Sequence, residues 1–221
     1  MSNPFVEFLR PHKTVPVTPW TAQSRWQLNP SRVAVLFFGL FIFGLGDSLL
    51  ILSTIGNAPW SVLAQGVSNR LDITMGWSTF AISTAVLLLW IPLREKPGFG
   101  TISNIVIIAT AIQIGVSLFP QQDDFAIAVI YCLVGIAMVG FGSALYITCG
   151  LGPGPRDGLM LGLSKRSIAG RQISIRVART VVEISVMVAG LFLGGSIGIG
   201  TLIFMFGIGP LVQLILPRFE M

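Results

Sequence analysis

Glu183 is a charged residue near the middle of an apolar run, Ile173–Leu193, where it could take part in proton or ion chemistry. An ionisable group inside a bilayer costs about 2.5–3.5 kcal/mol on insertion scales, so such groups are functional candidates. Arg179 and Arg176 precede it at spacings that put all three on one helix face. One interpretation is that Glu183 carries a proton or meets a cationic group while both arginines attract anions. The alternative is a structural ion pair that packs this helix against its neighbours.

Asp47 is a second carboxylate within an apolar run, close to Gly44 and Gly46. Glycines at such positions let another backbone approach closely. If Asp47 faces the protein interior, Arg179 is its expected partner. If it lies near the outer surface, it is simply solvated.

A helix break between Gly152 and Asp157, with the sequence GPGPRD, is a candidate anion site that includes Gly154 and Arg156. The free N–H groups and positive dipole end of a new helix favour a carboxylate or phosphate. Arg156 adds a fork of donors suited to the same groups. Pro59 begins the matching segment earlier in the chain. In the alternative interpretation Asp157 caps the helix and Arg156 only marks the cytoplasmic side.

Gln113 and Gln213 occupy matching positions in two apolar runs, with Asn104 near the first. Amides in lipid usually form hydrogen bonds between helices, worth roughly 0.6 kcal/mol on average. The sequence therefore predicts contacts between helices, and the alternative is a polar cavity lining.

The chain repeats itself. Nine residues recur at an offset of 96: Gly44, Gly46, Leu49, Ile51, Gly56, Pro59, Leu63, Gly66 and Ser68 match Gly140, Gly142, Leu145, Ile147, Gly152, Pro155, Leu159, Gly162 and Ser164. Further on, the GFGT sequence at Gly98–Thr101 matches GIGT at Gly198–Thr201, and Gln113 matches Gln213, at an offset of 100. The protein is therefore two copies of one unit of about a hundred residues.

Composition identifies the class. The chain has 221 residues, 53% hydrophobic and only 10% charged, with a mean hydropathy of +0.82. Soluble domains carry about 25% charged residues, so an integral membrane protein is predicted. The net charge of +5 reflects orientation in the membrane rather than nucleic-acid binding. Cys132 and Cys149 lack metal-ligand spacing and His12 is the only histidine, so no metal, no cofactor and no enzymatic chemistry are expected.

Six apolar runs approach the length of about 20 residues that a spanning helix needs. They are roughly Val33–Ser53, Gly76–Leu93, Phe99–Phe119, Phe125–Cys149, Ile173–Leu193 and Gly198–Leu216. Two shorter segments, Pro59–Arg70 and Pro155–Arg166, begin with proline at the first helical position. They are predicted to be half-helices or re-entrant segments.

Basic residues predict the orientation. They occur in a Pro-rich tail at residues 1–31, in the second and fourth loops and at the end: Arg94, Lys96, Arg156, Lys165, Arg166, Arg171 and Arg218. This pattern puts both termini in the cytoplasm. Trp20 and Trp26 of the tail would contact lipid headgroups, unless the tail is disordered.

Each copy, residues 32–120 and residues 121–221, contains three predicted spans, so the second copy must lie upside down. The predicted fold is thus an all-α integral membrane domain. It has six transmembrane helices in two inverted-topology three-helix repeats, each with a broken or re-entrant half-helix. Secondary transporters have this signature and bind substrate near the midplane, where the repeats meet.

Three segments resemble the bacterial YczE/YyaS/YitT group of membrane proteins. They are GLGPGPRDGL at Gly150–Leu159, VARTVVEI at Val177–Ile184, and the stretch from Gly198 to Gln213. The resemblance implies a multi-span protein of the bacterial inner membrane. It implies no substrate and no functional residues.

The sequence favours a small secondary transporter, potentially an exporter, of a small organic anion or zwitterion. Glu183, with or without Asp47, would couple transport to protons or cations. A homodimer is expected for so short a carrier. The alternative is a non-transporting accessory protein that supports a membrane-associated complex through its tail and basic loop. A third hypothesis is a substrate-binding membrane subunit served by a separate motor.

Overall fold

The protein is described by a computed structural model over residues 16–168, 171–172 and 174–219. The helices in these residues are α1 (Pro30–Leu52), α2 (Pro59–Leu71), α3 (Met75–Leu88), α4 (Trp90–Leu93), α5 (Phe99–Leu118), α6 (Phe125–Thr148), α7 (Pro155–Ser164), α8 (Ile175–Phe192) and α9 (Ile199–Ile215), followed by a 3-10 turn (Leu216–Phe219). The strands β1 (Ser167–Ile168) and β2 (Arg171–Gln172) form a short antiparallel pair between α7 and α8. The predicted helical class is confirmed. Residues 1–15 of the predicted tail, and Ile173, lie outside the described residues.

The two segments predicted as half-helices are short helices. Proline occupies the first position of α2 and of α7, where its missing N–H removes no helical hydrogen bond. With 13 and 10 residues respectively, neither helix is long enough to cross a bilayer.

Five segments in the described residues have the length and apolarity of a membrane span: Pro30–Leu52, Met75–Leu93, Phe99–Leu118, Phe125–Thr148 and Ile199–Phe219. The protein is therefore a multi-pass membrane protein. The sequence predicts six spans, and the difference is α8. This helix has 18 residues but includes Arg176, Arg179 and Glu183, so its composition is more polar than that of the other five.

The centre of the fold is the contact between α1 and α6. These are the first helices of residues 32–120 and 121–221, the two copies predicted from the sequence, which are called the first and second copy below. Glycines bring the two backbones together: a Cβ at Gly46 would lie 2.7 Å from the Gly135 carbonyl oxygen, and a Cβ at Gly142 would lie 2.5 Å from that of Gly39. Such close packing of small residues is typical of helix association in membranes. Buried side chains surround this pair, among them Leu36, Leu40, Ile108, Ile112, Leu50, Cys132, Ile136, Val139 and Ile208.

The loop at each helix break forms backbone hydrogen bonds with the other copy. Gly56, after α1, has φ +127°, and Gly152, after α6, has φ +110°, a conformation that favours glycine. The N–H of Gly200 donates to the Ile55 carbonyl (2.9 Å), and the N–H of Gly100 donates to the Leu151 carbonyl (2.8 Å). These are equivalent hydrogen bonds in the two copies, and each one joins the copies.

The described part of the tail packs against the end of α6. The indole N–H of Trp20 donates to the Thr148 hydroxyl (3.0 Å), and the Ala22 N–H donates to the Cys149 carbonyl (2.9 Å). For Trp20, the expected headgroup contact is replaced by this contact with protein. Trp26 is exposed.

We predict that Gly198→Ala and Gly98→Ala each destabilise the fold. A Cβ at Gly198 would collide with the Ile55 carbonyl oxygen, and a Cβ at Gly98 would collide with that of Leu151. Overpacking of this kind costs about 1–3 kcal/mol, and thermal unfolding in detergent should show a midpoint several degrees lower.

The matched control is Gly207→Ala in α9, because nothing lies within 4 Å of the added Cβ. Alanine has the higher helix propensity, so this variant should unfold at the wild-type midpoint or above it. Equal midpoints for all three variants would contradict the role assigned to the two glycines.

Candidate binding cavity

A cavity of about 260 Å³ lies where helices of the two copies meet. Its size is close to the lower end of small-molecule pockets, which span about 300–1,000 Å³. Helices of both copies line it, α1, α2, α3 and α5 from the first and α6, α7, α8 and α9 from the second. Six residues predicted from the sequence are in its wall: Gly154, Arg156, Asp157, Arg179, Glu183 and Gln213.

Arg156, the second residue of α7, presents a cation to the cavity. Its guanidinium carbon lies 5.3 Å from the centre of the Trp60 ring, a cation–π contact between the two half-helices. No ion pair or hydrogen bond joins this guanidinium to a side chain or carbonyl in the described part of the chain. The donor fork of Arg156 is therefore available to a ligand.

Trp60 itself is a second donor in the cavity wall. The residue is only 5% exposed, and its indole N–H has no hydrogen-bond acceptor among the described residues. A buried N–H without a partner is rare, because leaving it unsatisfied costs about 1–3 kcal/mol. Sequence analysis missed Trp60, although its position directly after Pro59 put it beside the predicted helix start.

Arg179 and Glu183 form an ion pair and also line the cavity, so both interpretations of these residues from the sequence apply. Arg179 Nε donates to Glu183 Oε1 at 2.9 Å, as an ion pair one helical turn apart on α8, and both residues line the cavity. Arg176 lies on the same helix but is exposed and is not part of the wall.

Asp157 lies in the first turn of α7, where a carboxylate suits the positive end of the helix, but it is not the N-cap residue. The N-cap residue is Gly154, with no side-chain hydrogen bond, and the Asp157 carboxylate instead accepts a hydrogen bond from the Tyr146 hydroxyl. Tyr146 is buried in α6, and buried tyrosines usually find a partner for their hydroxyl. Sequence analysis missed Tyr146. The available signal was a tyrosine within an apolar helix, because its hydroxyl would need a hydrogen-bond partner.

Asp47 is buried behind the cavity wall, with 1% of its surface exposed. Both of its carboxyl oxygens lie 2.8 Å from the hydroxyl oxygen of Ser61 on α2. The partner expected from the sequence was Arg179, but among the described residues Asp47 forms no ion pair and Arg179 pairs with Glu183. Ser61 was not singled out from the sequence.

The remaining predicted residues have other surroundings. Pro59 is buried at the start of α2, and Gly152 lines a separate recess that also includes Asp157. Gln113 accepts a hydrogen bond from the Gly76 N–H of α3 (3.0 Å), in agreement with the helix-contact interpretation. It faces a groove between α3 and α5, whereas Gln213 faces the cavity.

Within the described ranges, no group of three or more histidine, cysteine or acidic side chains could hold a metal ion. The cavity wall offers instead two cations, Arg156 and Arg179, and two anions, Asp157 and Glu183, among apolar side chains. This arrangement can bind a small charged molecule in an apolar surrounding, where charge-assisted hydrogen bonds are strong.

The fold and the cavity define a multi-pass membrane protein with an internal polar site. The chain belongs to the family of unknown function DUF6198, whose model matches residues 30–217. It is 43% identical over 204 residues to an uncharacterized protein of Haemophilus influenzae, with 92% of each chain covered.

Two relatives from Bacillus subtilis confirm the predicted resemblance to bacterial YczE- and YyaS-type membrane proteins. The uncharacterized membrane protein YczE is 27% identical over 189 residues, covering 85% of this chain and 86% of YczE. The uncharacterized protein YyaS is 30% identical over 191 residues, covering 82% and 90% of the two chains. No solved structure matches the chain.

We predict that Arg179 and Glu183 are energetically coupled. Arg179→Gln leaves Glu183, whose side chain is 15% exposed, without its ion-pair partner. Glu183→Gln in turn leaves Arg179 without its partner. The double variant should lose less free energy of unfolding than the two single variants lose together. A coupling of about 0.5–1 kcal/mol is expected for a partly exposed pair.

The measurement is thermal unfolding of wild type, both single variants and the double variant. Strictly additive changes in stability would show that the pair has no mutual interaction.

Proposed function

We propose that this protein is a small secondary transporter for a small organic anion or zwitterion, driven by a proton or cation gradient, and that it has no enzymatic activity. The central cavity is its binding site. The observation that carries the proposal is the guanidinium of Arg156, which lines the cavity without an acceptor from the described residues. Arg156 is half-buried in this wall and forms no ion pair with any described residue, so it favours an anion, which a transported substrate can supply.

The donors around Arg156 favour a carboxylate or a similar planar anion. A guanidinium binds a carboxylate through two parallel hydrogen bonds. The Trp60 ring lies 5.3 Å from this guanidinium, and its indole N–H has no acceptor among the described residues. The N-terminus of α7 adds its positive dipole end at the same position. Asp157 and Glu183 in the same wall could receive the cationic group of a zwitterion.

An inverted-repeat architecture supports transport as the activity. Each copy would contribute three spans, with α8 as the sixth. Its 18 residues make a helix of about 27 Å, close to the hydrocarbon thickness of about 30 Å. The charged side chains of Arg179 and Glu183 face the cavity, which reduces their cost in a span. The equivalent loop contacts at Ile55 and Leu151 are those expected of two related halves.

Alternating access would then follow from one half rocking against the other around the cavity. The half-helices α2 and α7 both line the cavity and meet through Trp60 and Arg156, so they are suited to act as gates. The basic residues after α7 favour an inner-membrane location with both termini in the cytoplasm.

The test is thermal unfolding of the purified protein with a library of amino acids, organic acids, phosphates and lipids. A ligand at about 100 times its dissociation constant stabilises by about 2.7 kcal/mol, which raises the midpoint by several degrees. We expect carboxylates or zwitterions to produce this shift, and Arg156→Gln to abolish it. A compound that shifts the midpoint would then be tested for uptake into proteoliposomes.

The matched control is Arg70→Gln, because Arg70 is exposed at the end of α2 and is not part of the cavity wall. It should keep the ligand shift. If Arg156→Gln unfolds during purification, Arg156→Lys can replace it. Lysine retains the positive charge but loses the paired guanidinium donors, so we expect a smaller ligand-induced shift of the midpoint. No shift with any small molecule would overturn the proposal and favour the accessory hypothesis.

A further inference from the structure

The contact between Asp47 and Ser61 has a geometry that depends on the protonation state of the carboxyl group. The Ser61 hydroxyl oxygen lies 2.8 Å from Oδ1 and 2.8 Å from Oδ2 of Asp47. A serine hydroxyl has one hydrogen to donate, together with lone pairs that accept. An ionised carboxylate only accepts, so a single hydrogen would have to serve two short contacts.

A protonated carboxyl group satisfies both contacts at once. The Ser61 hydroxyl then donates to one oxygen of Asp47, and the protonated oxygen of Asp47 donates back to Ser61. Both distances are typical of O–H···O hydrogen bonds, whose most common length is about 2.7–2.8 Å.

The surroundings of Asp47 also disfavour a permanent charge. Of the helices around it, α5 has no titratable residue in its sequence, and α6 contributes Tyr131, Cys132, Tyr146 and no carboxylate or cation. Arg156 on α7 lies over the ring of Trp60, the neighbour of Ser61, and no ion pair includes Asp47 in the described part of the chain. A buried carboxylate without a paired cation is costly, so the neutral form is favoured.

The repeat shows that this pair is specific to one half. At the offset of 96, Asp47 matches Ser143 and Ser61 matches Asp157, so the aspartate and the serine have exchanged places between the copies. In the second copy the aspartate is exposed and accepts a hydrogen bond from Tyr146. In the first copy, by contrast, Asp47 is buried, with 1% of its surface exposed.

We propose that Asp47 and Ser61 form a proton-binding site, and that the proton on Asp47 is the coupling ion of the transporter. This assignment of the coupling ion rests on the proposed function, whereas the proton site itself does not. Glu183 is less suited to the role, because Arg179 already balances its charge at 2.9 Å. A sodium ion is also less suited, because Asp47 and Ser61 offer three oxygens and hard cations take about six or more.

Charge balance connects this site to the cavity. When Asp47 is protonated, the positive charge of Arg156 is available to a substrate anion. When Asp47 loses its proton, its carboxylate, held by Ser61 next to Trp60, can compensate the Arg156 charge instead. Proton binding and anion binding therefore favour each other, and the coupling is reciprocal by linkage. Proton and substrate would consequently move in the same direction.

The test is infrared spectroscopy of the purified protein in lipid nanodiscs at neutral pH, with no added substrate. A protonated carboxyl group has a C=O stretching band that an ionised carboxylate lacks. We expect this band in wild type and in Asp157→Asn, and its loss in Asp47→Asn. A spectrum in which Asp47→Asn removes no band would overturn the proton site.

A second variant keeps the test decisive if Asp47→Asn does not fold. Ser61→Ala removes the hydroxyl that donates to the carboxyl group, so the band should move to higher wavenumber, and an unchanged band would overturn the proposal. Stabilisation by sodium chloride but not by choline chloride, lost in Asp47→Asn, would likewise overturn it in favour of a sodium site. The infrared test needs no substrate, so the two proposals can fail separately. The carboxyl band without any ligand-induced shift in unfolding midpoint would support the proton site and contradict the transporter proposal. A ligand-induced shift without the band would support the transporter proposal and contradict the proton site.

Discussion

The fold depends on one constraint: the polar backbone groups that a helix end leaves without a helical partner must find another partner where protein covers them. Both helix breaks meet this constraint through the other copy. The carbonyl of Ile55 accepts from Gly200, and the carbonyl of Leu151 accepts from Gly100. With the loops held there, the short helices that follow begin close to each other. Arg156 can then lie over Trp60, and the cavity forms around them.

The cavity combines charges that differ in how firmly they are bound. Arg179 and Glu183 satisfy each other on one helix, and Asp157 is held by Tyr146. Within the described residues, Arg156 forms no ion pair and lies over an aromatic ring, and the carboxyl group of Asp47 is hydrogen-bonded to a serine hydroxyl. A site built for rigidity alone would pair all of these groups. The two groups without a charged contact are therefore those on which binding and coupling are expected to act.

Much of the fold could be predicted because local rules decided it. Proline at the first position of α2 and α7 and a fixed repeat offset were enough to find both half-helices. The composition of α8 was harder to interpret, because its three charged residues suit either a span that lines a cavity or a more polar helix.

Less of the site could be predicted, because its contacts join residues far apart in sequence. Gln113 and Gln213 have the same type and equivalent positions, yet one binds a neighbouring backbone and the other faces the cavity. The partner of Asp47 was assigned to Arg179 from charge alone, although a neutral hydroxyl was in place on α2. Comparing the copies residue by residue at Ser61 and Ser143 would have revealed the exchanged pair.

The hydrogen bonds between each loop and the other copy also have a consequence for the order of events during biosynthesis. Ile55 leaves the ribosome early, but the N–H that satisfies its carbonyl belongs to Gly200, in the last helix of the chain. The first half is therefore made before the partner of this carbonyl exists. A chain that stops before α9 would lack the hydrogen bond between Gly200 and Ile55, so neither half contains all the partners of its own loop.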